Sequence, residues 1–197
     1  MNRIVRSLAL VAFVALPAFA FAAEAWSLDS SHTQTSFTVK HLMISTVRGE
    51  FAKTTGKVVL DAADITKSTV EATIDVASVN TREEKRDGHL KSPDFFDVAK
   101  YPTITFKSTK VVKAGEGLKV TGDLTMHGVT KAVELDVTGL TKEIKDPMGL
   151  MRRGVAATTK VNRKDFGVSY GPDSIVSDSV TITIDAELVK EAPPAKK

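Results

Sequence analysis

A strict period-two alternation of apolar and polar residues, repeated along the chain, limits what it can fold into. In Thr69–Val76, residues Val70, Ala72, Ile74 and Val76 share one face, and Thr69, Glu71, Thr73 and Asp75 share the other. Leu118–Met126 sets Leu118, Val120, Leu124 and Met126 against Lys119, Thr121, Asp123 and Thr125. Val180–Leu188 sets Val180, Ile182, Ile184, Ala186 and Leu188 against Thr181, Thr183, Asp185 and Glu187. Successive side chains of a strand point to opposite faces, so the pattern specifies half-buried strands and not helices. Weaker alternation predicts strands at 34–40, 47–51, 57–60, 103–112, 132–138 and 155–161. Gly115–Gly117 and His127–Thr130 read as hairpin turns, and Asp146–Gly149 as part of a longer loop. One segment differs: TREEKRDGHLKS, Thr81–Ser92, predicts a short helix, with Asn80 as its N-cap and Glu83 completing a capping box. Eight or nine antiparallel strands with one apolar face must close or stack, because an open sheet leaves that face wet and two edges unpaired. The expected fold class is all-β, an eight-stranded antiparallel β-barrel, with a two-sheet sandwich as the alternative.

The N-terminus reads as a secretory leader. Arg3 and Arg6 precede the apolar run Leu8–Leu16, and Ala20-Phe21-Ala22 supplies the small-residue cleavage pattern, so 1–22 is expected to be removed. The apolar run is about half of what spans a bilayer. The chain contains no cysteine, so no disulfide or lipidated cysteine is expected, and the bacterial periplasm fits best as the destination. Residues 23–190 are expected to form one barrel domain, and 191–197, rich in Pro and Lys, a disordered tail. The formal charge of +3 falls to about +1 without the leader, and no basic stripe interleaves with aromatics. Nucleic acid is therefore a poor partner, and no stable membrane insertion is expected. An exposed strand edge leaves room for a homodimer.

The interior is either filled or hollow. Ala72, Gly122, Ala157 and Ala186 put small groups on inward rows, and three of the nine phenylalanines fall in the leader. Small residues suit a tapered, filled barrel equally well, so both readings stand. A hollow interior would be apolar and long, suited to a chain lipid. Burying about fifteen methylenes yields on the order of 12 kcal/mol gross. Lost freedom takes back about 4 kcal/mol or more, which still leaves micromolar or tighter binding within reach.

Four motifs, in order, resemble the YceI family of periplasmic polyisoprenoid-binding proteins: WSLDSSHTQTSFTVKHL with Gly49 and Phe51; SVNTREEKRDGHLKSPDFFDVAKYPTITF; VTGDLTMHGVTKAVELDV; and VNRKDFGV. They run from about Trp26 to Val189. The resemblance implies a lipocalin-like barrel with a helix, about 81–92, across one opening. It also implies an apolar pore holding a long isoprenoid or similar lipid, whether a quinone, a prenyl pyrophosphate or a fatty-acid amide. In such a pore the inward positions Phe37, Val39, Phe51, Val70, Ala72, Ile74, Phe106, Val120, Leu124, Leu135, Val155, Ile182 and Ile184 would line the tail, together with Phe95 and Phe96. Phe95, Phe96 and Tyr101 read as plug and hinge between the helix and the next strand, or as satellite core under a loop. Pro102 keeps the residue before it extended.

At the mouth, His41, Arg86, Asp87, His89 and Arg163 are the head-group candidates. Arg86 and His89 stand three apart on one helix face, and a guanidinium can grip a pyrophosphate or quinone oxygen in two places. The plainer reading is a solvated helix face with Asp87 as a tie, a buried His41, and Arg163 paired with Asp165. Arg152 and Arg153 are expected to face solvent in the long loop. The four histidines, His32, His41, His89 and His127, show no metal-ligand spacing. No G-x-S-x-G motif and no plausible Ser-His-Asp pattern occurs. A ligand carrier that is not an enzyme, without metal or cofactor, is the expected function. An enzyme of isoprenoid-quinone metabolism using His41 or His89 as acid–base, and a stress-induced protein with a filled barrel, are the alternatives.

Overall fold

A computed structural model of the chain describes residues 23–192. The expected leader lies outside the described residues, as do 193–197 of the expected tail. Glu191, counted with that tail, is held in place: its amide donates to the Ala25 carbonyl at 2.8 Å, and its carboxylate meets Ser27 and Lys57.

The strands run in chain order as β1 Glu24–Leu28, β2 Gln34–His41, β3 Ser45–Phe51, β4 Thr54–Leu60, β5 Thr69–Asp75 and β6 Val79–Asn80. After helix α1, Glu84–Lys91, come β7 Thr103–Ala114, β8 Gly117–Met126, β9 Val129–Thr138, β10 Ile144–Lys145, β11 Met151–Asn162 and β12 Ser179–Lys190. Every pairing is antiparallel, and the ring β1-β4-β5-β7-β8-β9-β11-β12 closes on itself as an eight-stranded barrel. Closure removes the edges that an open sheet would expose.

Three of the eight staves bend and continue beyond the ring. β1 passes into β2 across Ser30–His32, where the Asp29 carboxylate accepts from the Ser31 amide. β3 and β4 are separated by Ala52 and Lys53, and β5 passes into β6 across Val76–Ser78. The upper halves pair as β12-β2-β3-β6, with Ile182 opposite Phe37 and Glu50 opposite Asn80. Among the described residues no pairing joins β6 to β7. The barrel therefore splits at this end, and α1 comes directly after β6.

The helix begins later than expected. Asn80 accepts from the Arg82 amide, forming a tight turn, and Arg82 takes a left-handed φ of 63°. That conformation interrupts any helix started at Thr81. Glu83 becomes the cap instead, its carboxylate accepting from the Lys85 and Arg86 amides. Eight residues with a single large apolar side chain, Leu90, form a marginal helix in water. The segment 92–98 anchors it: the amides of Phe96 and Val98 donate to the carbonyls of Leu90 and Lys91, and Phe96 and Val98 pack on the core.

The opposite end is plugged. Trp26 is fully buried with Val58, Leu60 and Leu188. The Arg153 guanidinium and Lys190 ammonium lie 5.2 and 5.4 Å from its ring centre, close enough for cation–π attraction. Arg152 and Arg153 thus do not face solvent in a loop; they belong to β11. Arg152 donates to Asp29 at 2.7 Å, Glu187 at 3.0 Å and Asp146 at 2.7 Å. The guanidinium, aided by His32, holds the Asp29 carboxyl well below the usual carboxylate range, and it lowers Asp146 as well.

Candidate functional site

The inward rows do not meet across the barrel. They enclose an apolar cavity of about 780 Å³ that runs from the Trp26 floor to the split end. This size falls within the range of small-molecule sites, ~300–1,000 Å³. All fifteen residues expected to line the tail, from Phe37 to Ile184, stand on its wall.

Two glycines explain how aromatic residues can line this wall without filling the space. Phe37 lies opposite Gly49 in the β2–β3 ladder, and a Cβ on Gly49 would sit 2.3 Å from the Phe37 ring. A Cβ on Gly122 would likewise sit 2.4 Å from the Phe106 ring. Each ring reaches over a residue with no side chain, into the space a Cβ would take. The small inward residues are therefore of two kinds: glycines that seat rings, and alanines such as Ala157 and Ala186 that leave lumen.

The mouth is built from α1 and the loop 163–178. His89 Nε2 donates to the Asp94 carboxylate at 2.9 Å. Its ring meets Phe95 edge-on at 4.9 Å and Tyr170 at 5.0 Å, and Phe95 and Tyr170 lie 5.2 Å apart. Phe95 is buried under this three-ring cluster, whereas Tyr170 is half exposed. Phe96 meets Phe51 at 5.8 Å on the cavity side. The adjacent phenylalanines thus divide the work: Phe95 joins the helix to the far loop, and Phe96 closes the wall. Tyr101 is not part of this plug. It packs on His127 at 4.6 Å in the β8–β9 turn.

Arg86 reaches the cavity wall, with Nε donating to Thr81 Oγ1 and Nη2 to the Thr81 carbonyl, both at 2.8 Å. Among the described residues no acceptor meets its Nη1. Asp87 lies off the cavity wall: its carboxylate accepts from the Thr81 amide and hydroxyl, fixing the turn that orients Arg86. His41 reaches the wall from the end of β2, paired with Val176. Arg163 also borders the cavity, but its donors point away from it. They go to the carbonyls of Ser177, Val168, Tyr170, Gly171 and Val176 and to Asp178 Oδ1. Neither a head-group role nor a pair with Asp165 fits this geometry; Arg163 is 4 % exposed and ties the loop together. Thr81 and Tyr170, not singled out from the sequence, complete the mouth; both stand in stretches without alternation.

At the floor, Asp29, His32 and Glu187 come close enough to share a cation, but Arg152 already bridges Asp29 and Glu187. Among the described residues no helix is long and apolar enough to cross a membrane.

Fold and site together define a closed antiparallel barrel around one apolar chamber, with the arginines and histidines of its lining, His41, Arg86, His89 and Arg163, gathered at a lidded mouth. The YceI-like domain profile matches residues 26–188, and the chain belongs to the YceI family. It is 39% identical over 171 residues to a UPF0312 protein of Vibrio cholerae, covering 85% of this chain and 89% of that one. It is 38% identical over 165 residues to the YceI protein of Escherichia coli, covering 83% and 84%. Among solved structures, BcnA of Burkholderia cenocepacia superposes with a TM-score of 0.74 at 27% identity, over 81% of this chain and 98% of that one. The Campylobacter jejuni YceI protein gives 0.69 at 34% identity, over 78% and 90%. A polyisoprenoid binding domain from Saccharophagus degradans shares the fold, with a TM-score of 0.65 at 19% identity over 85% and 99%.

Proposed function

We propose that the protein is a periplasmic carrier that holds a long-chain isoprenoid or related lipid in the barrel, for transport, storage or sequestration. The observation that carries this reading is the apolar chamber of about 780 Å³ with Arg86 and His89 at its lidded end. A hydrocarbon tail gains roughly 0.8 kcal/mol for each methylene it buries. A polar or anionic head would remain at the mouth, within reach of the Arg86 guanidinium and the His89 ring. The polyisoprenoid binding of the Saccharophagus degradans domain is in keeping with this ligand class.

The carrier reading leaves the bound lipid chemically unchanged. The His89–Asp94 pair orients a ring in an aromatic seal between Phe95 and Tyr170. Titration with a series of prenyl alcohols of rising chain length tests the reading. Affinity should climb by about tenfold or more per added methylene pair until the chamber is full, then level off. Affinity that does not depend on tail length would overturn it.

A further inference from the structure

The hairpin tip between β2 and β3 is made of three consecutive apolar residues, Leu42, Met43 and Ile44, which are 49%, 47% and 83% exposed. The backbone there is costly for such residues. Leu42 and Met43 take left-handed φ values of 49° and 58°, in a turn closed by the Ile44 amide donating to the His41 carbonyl at 3.2 Å. Asn-Gly fills such a turn with little strain. The tip is also not a loose loop. The Leu42 amide donates to the Ile175 carbonyl at 2.8 Å, and His41 bridges Val176. That strap adds two more exposed apolar groups to the same edge, Ile175 at 43% and Tyr170 at 49%. His41, Tyr170 and Ile175 also line the cavity, so the apolar rim is continuous with the mouth.

Charge around this rim favours an anionic surface. From Ser36 to Gly49 the chain carries Lys40 and Arg48 and no carboxylate. Both lie on the outer face of the hairpin, Lys40 opposite Thr46 and Arg48 opposite Thr38. On the strapping loop, Asp178 is held by Arg163 and Lys164, and Asp173 accepts from the Asp178 amide. Apolar groups projecting from a turn flanked by cations match the interfacial zone of an anionic bilayer.

We propose that the Leu42–Ile44 tip, with Tyr170 and Ile175, docks the mouth of the barrel on an anionic phospholipid membrane, where the tail passes between bilayer and chamber without crossing water. This rests on the carrier reading of the chamber. The experiment is flotation with vesicles of three parts phosphatidylcholine to one part phosphatidylglycerol, beside vesicles of phosphatidylcholine alone. The wild type should float with the anionic vesicles, and salt should weaken the association. Ile44→Asp should partition at least about tenfold less, because it removes one buried aliphatic group and opposes the surface charge. A second variant, Leu42→Asn with Met43→Gly, should also lose vesicle binding while its melting temperature holds or rises, since it relieves the turn. Both variants should bind detergent-dispersed prenyl alcohol as the wild type does. Wild-type protein that stays in solution, or variants that float unchanged, would overturn the docking proposal. So would an Ile44→Asp change that only dissociates a protein dimer, which would mark the tip as a contact between copies. Failure of the wild type to bind dispersed prenyl alcohol would instead overturn the carrier reading.

Discussion

Replacing Ala157 by Phe separates a hollow barrel from a filled one. Ala157 is 6% exposed, sits between Val137 and Ile184 on neighbouring strands, and lines the chamber. In a filled core the added ring has no room, and overpacking costs about 1–3 kcal/mol. In this chamber it projects into existing space. A cavity of about 150 Å³ accommodates a benzene ring, so the new side chain takes about a fifth of the 780 Å³ present. Burying it contributes up to about 2 kcal/mol of its own. Stability should therefore hold or rise. Binding should fall: if a tail of about fifteen methylenes fills the chamber, a fifth is about three of them, or about 2.4 kcal/mol. That corresponds to about fifty-fold in affinity. Urea unfolding and titration with a long-chain prenyl alcohol read the two effects separately. A stability loss of about 1–3 kcal/mol with unchanged lipid affinity would show the barrel to be filled.

Three further outcomes rest on particular contacts. Gly49→Ala places a methyl 2.3 Å from the Phe37 ring and 2.8 Å from Thr81 Cγ2, so the ring must swing into the lumen; urea unfolding should show a loss of about 1–3 kcal/mol, and titration a smaller lipid capacity. Arg163→Met strips the donors from five carbonyls and a carboxylate; it should destabilise the fold by about 3 kcal/mol or more and speed amide exchange across 163–178, whereas a purely ligand-facing arginine would leave stability unchanged. Arg152 is the main cause holding Asp29 and Asp146 below their ordinary value of 3.8. For depressed carboxylates the stabilisation is present above the unfolded value and is lost as pH falls through the folded ones. Arg152→Met should thus melt lower at about pH 7, with the gap to wild type narrowing towards about pH 2; a gap constant across that window would contradict the assignment.

Much of the barrel was legible because alternation survives wherever one face is wet. Of the expected Thr69–Val76, all but Val76 falls on β5, and Leu118–Met126 and Val180–Leu188 fall on β8 and β12, for that reason. β1 was not legible: five residues, EAWSL, sit at a break and are too few to show a period. Nor were the bends, since Asp29, Lys53 and Asp75 read locally as ordinary polar positions, and only the long-range pairing shows that two short strands form one stave. The sequence places the helix start too early because Asn80 and Glu83 both resemble caps, and the left-handed Arg82 between them is a backbone fact with no compositional mark. The cavity wall could be read from the inward rows. The mouth could not, because arginine has the same spelling whether it faces a ligand, as Arg86 can, or five backbone carbonyls, as Arg163 does. Arg152 and Arg153 illustrate the same limit: a charged pair beside a loop reads as solvated until Asp29 after β1, Glu187 of β12 and Glu143 and Asp146 around β10 are brought to it.

Native mass spectrometry of protein released gently from its own cells, without detergent, weighs the barrel together with whatever it encloses. The account predicts a folded chain carrying one apolar adduct, which organic solvent removes and which proves to be a long-chain isoprenoid-type lipid. A barrel that leaves the cell empty, and that takes up no lipid when offered one, would contradict it.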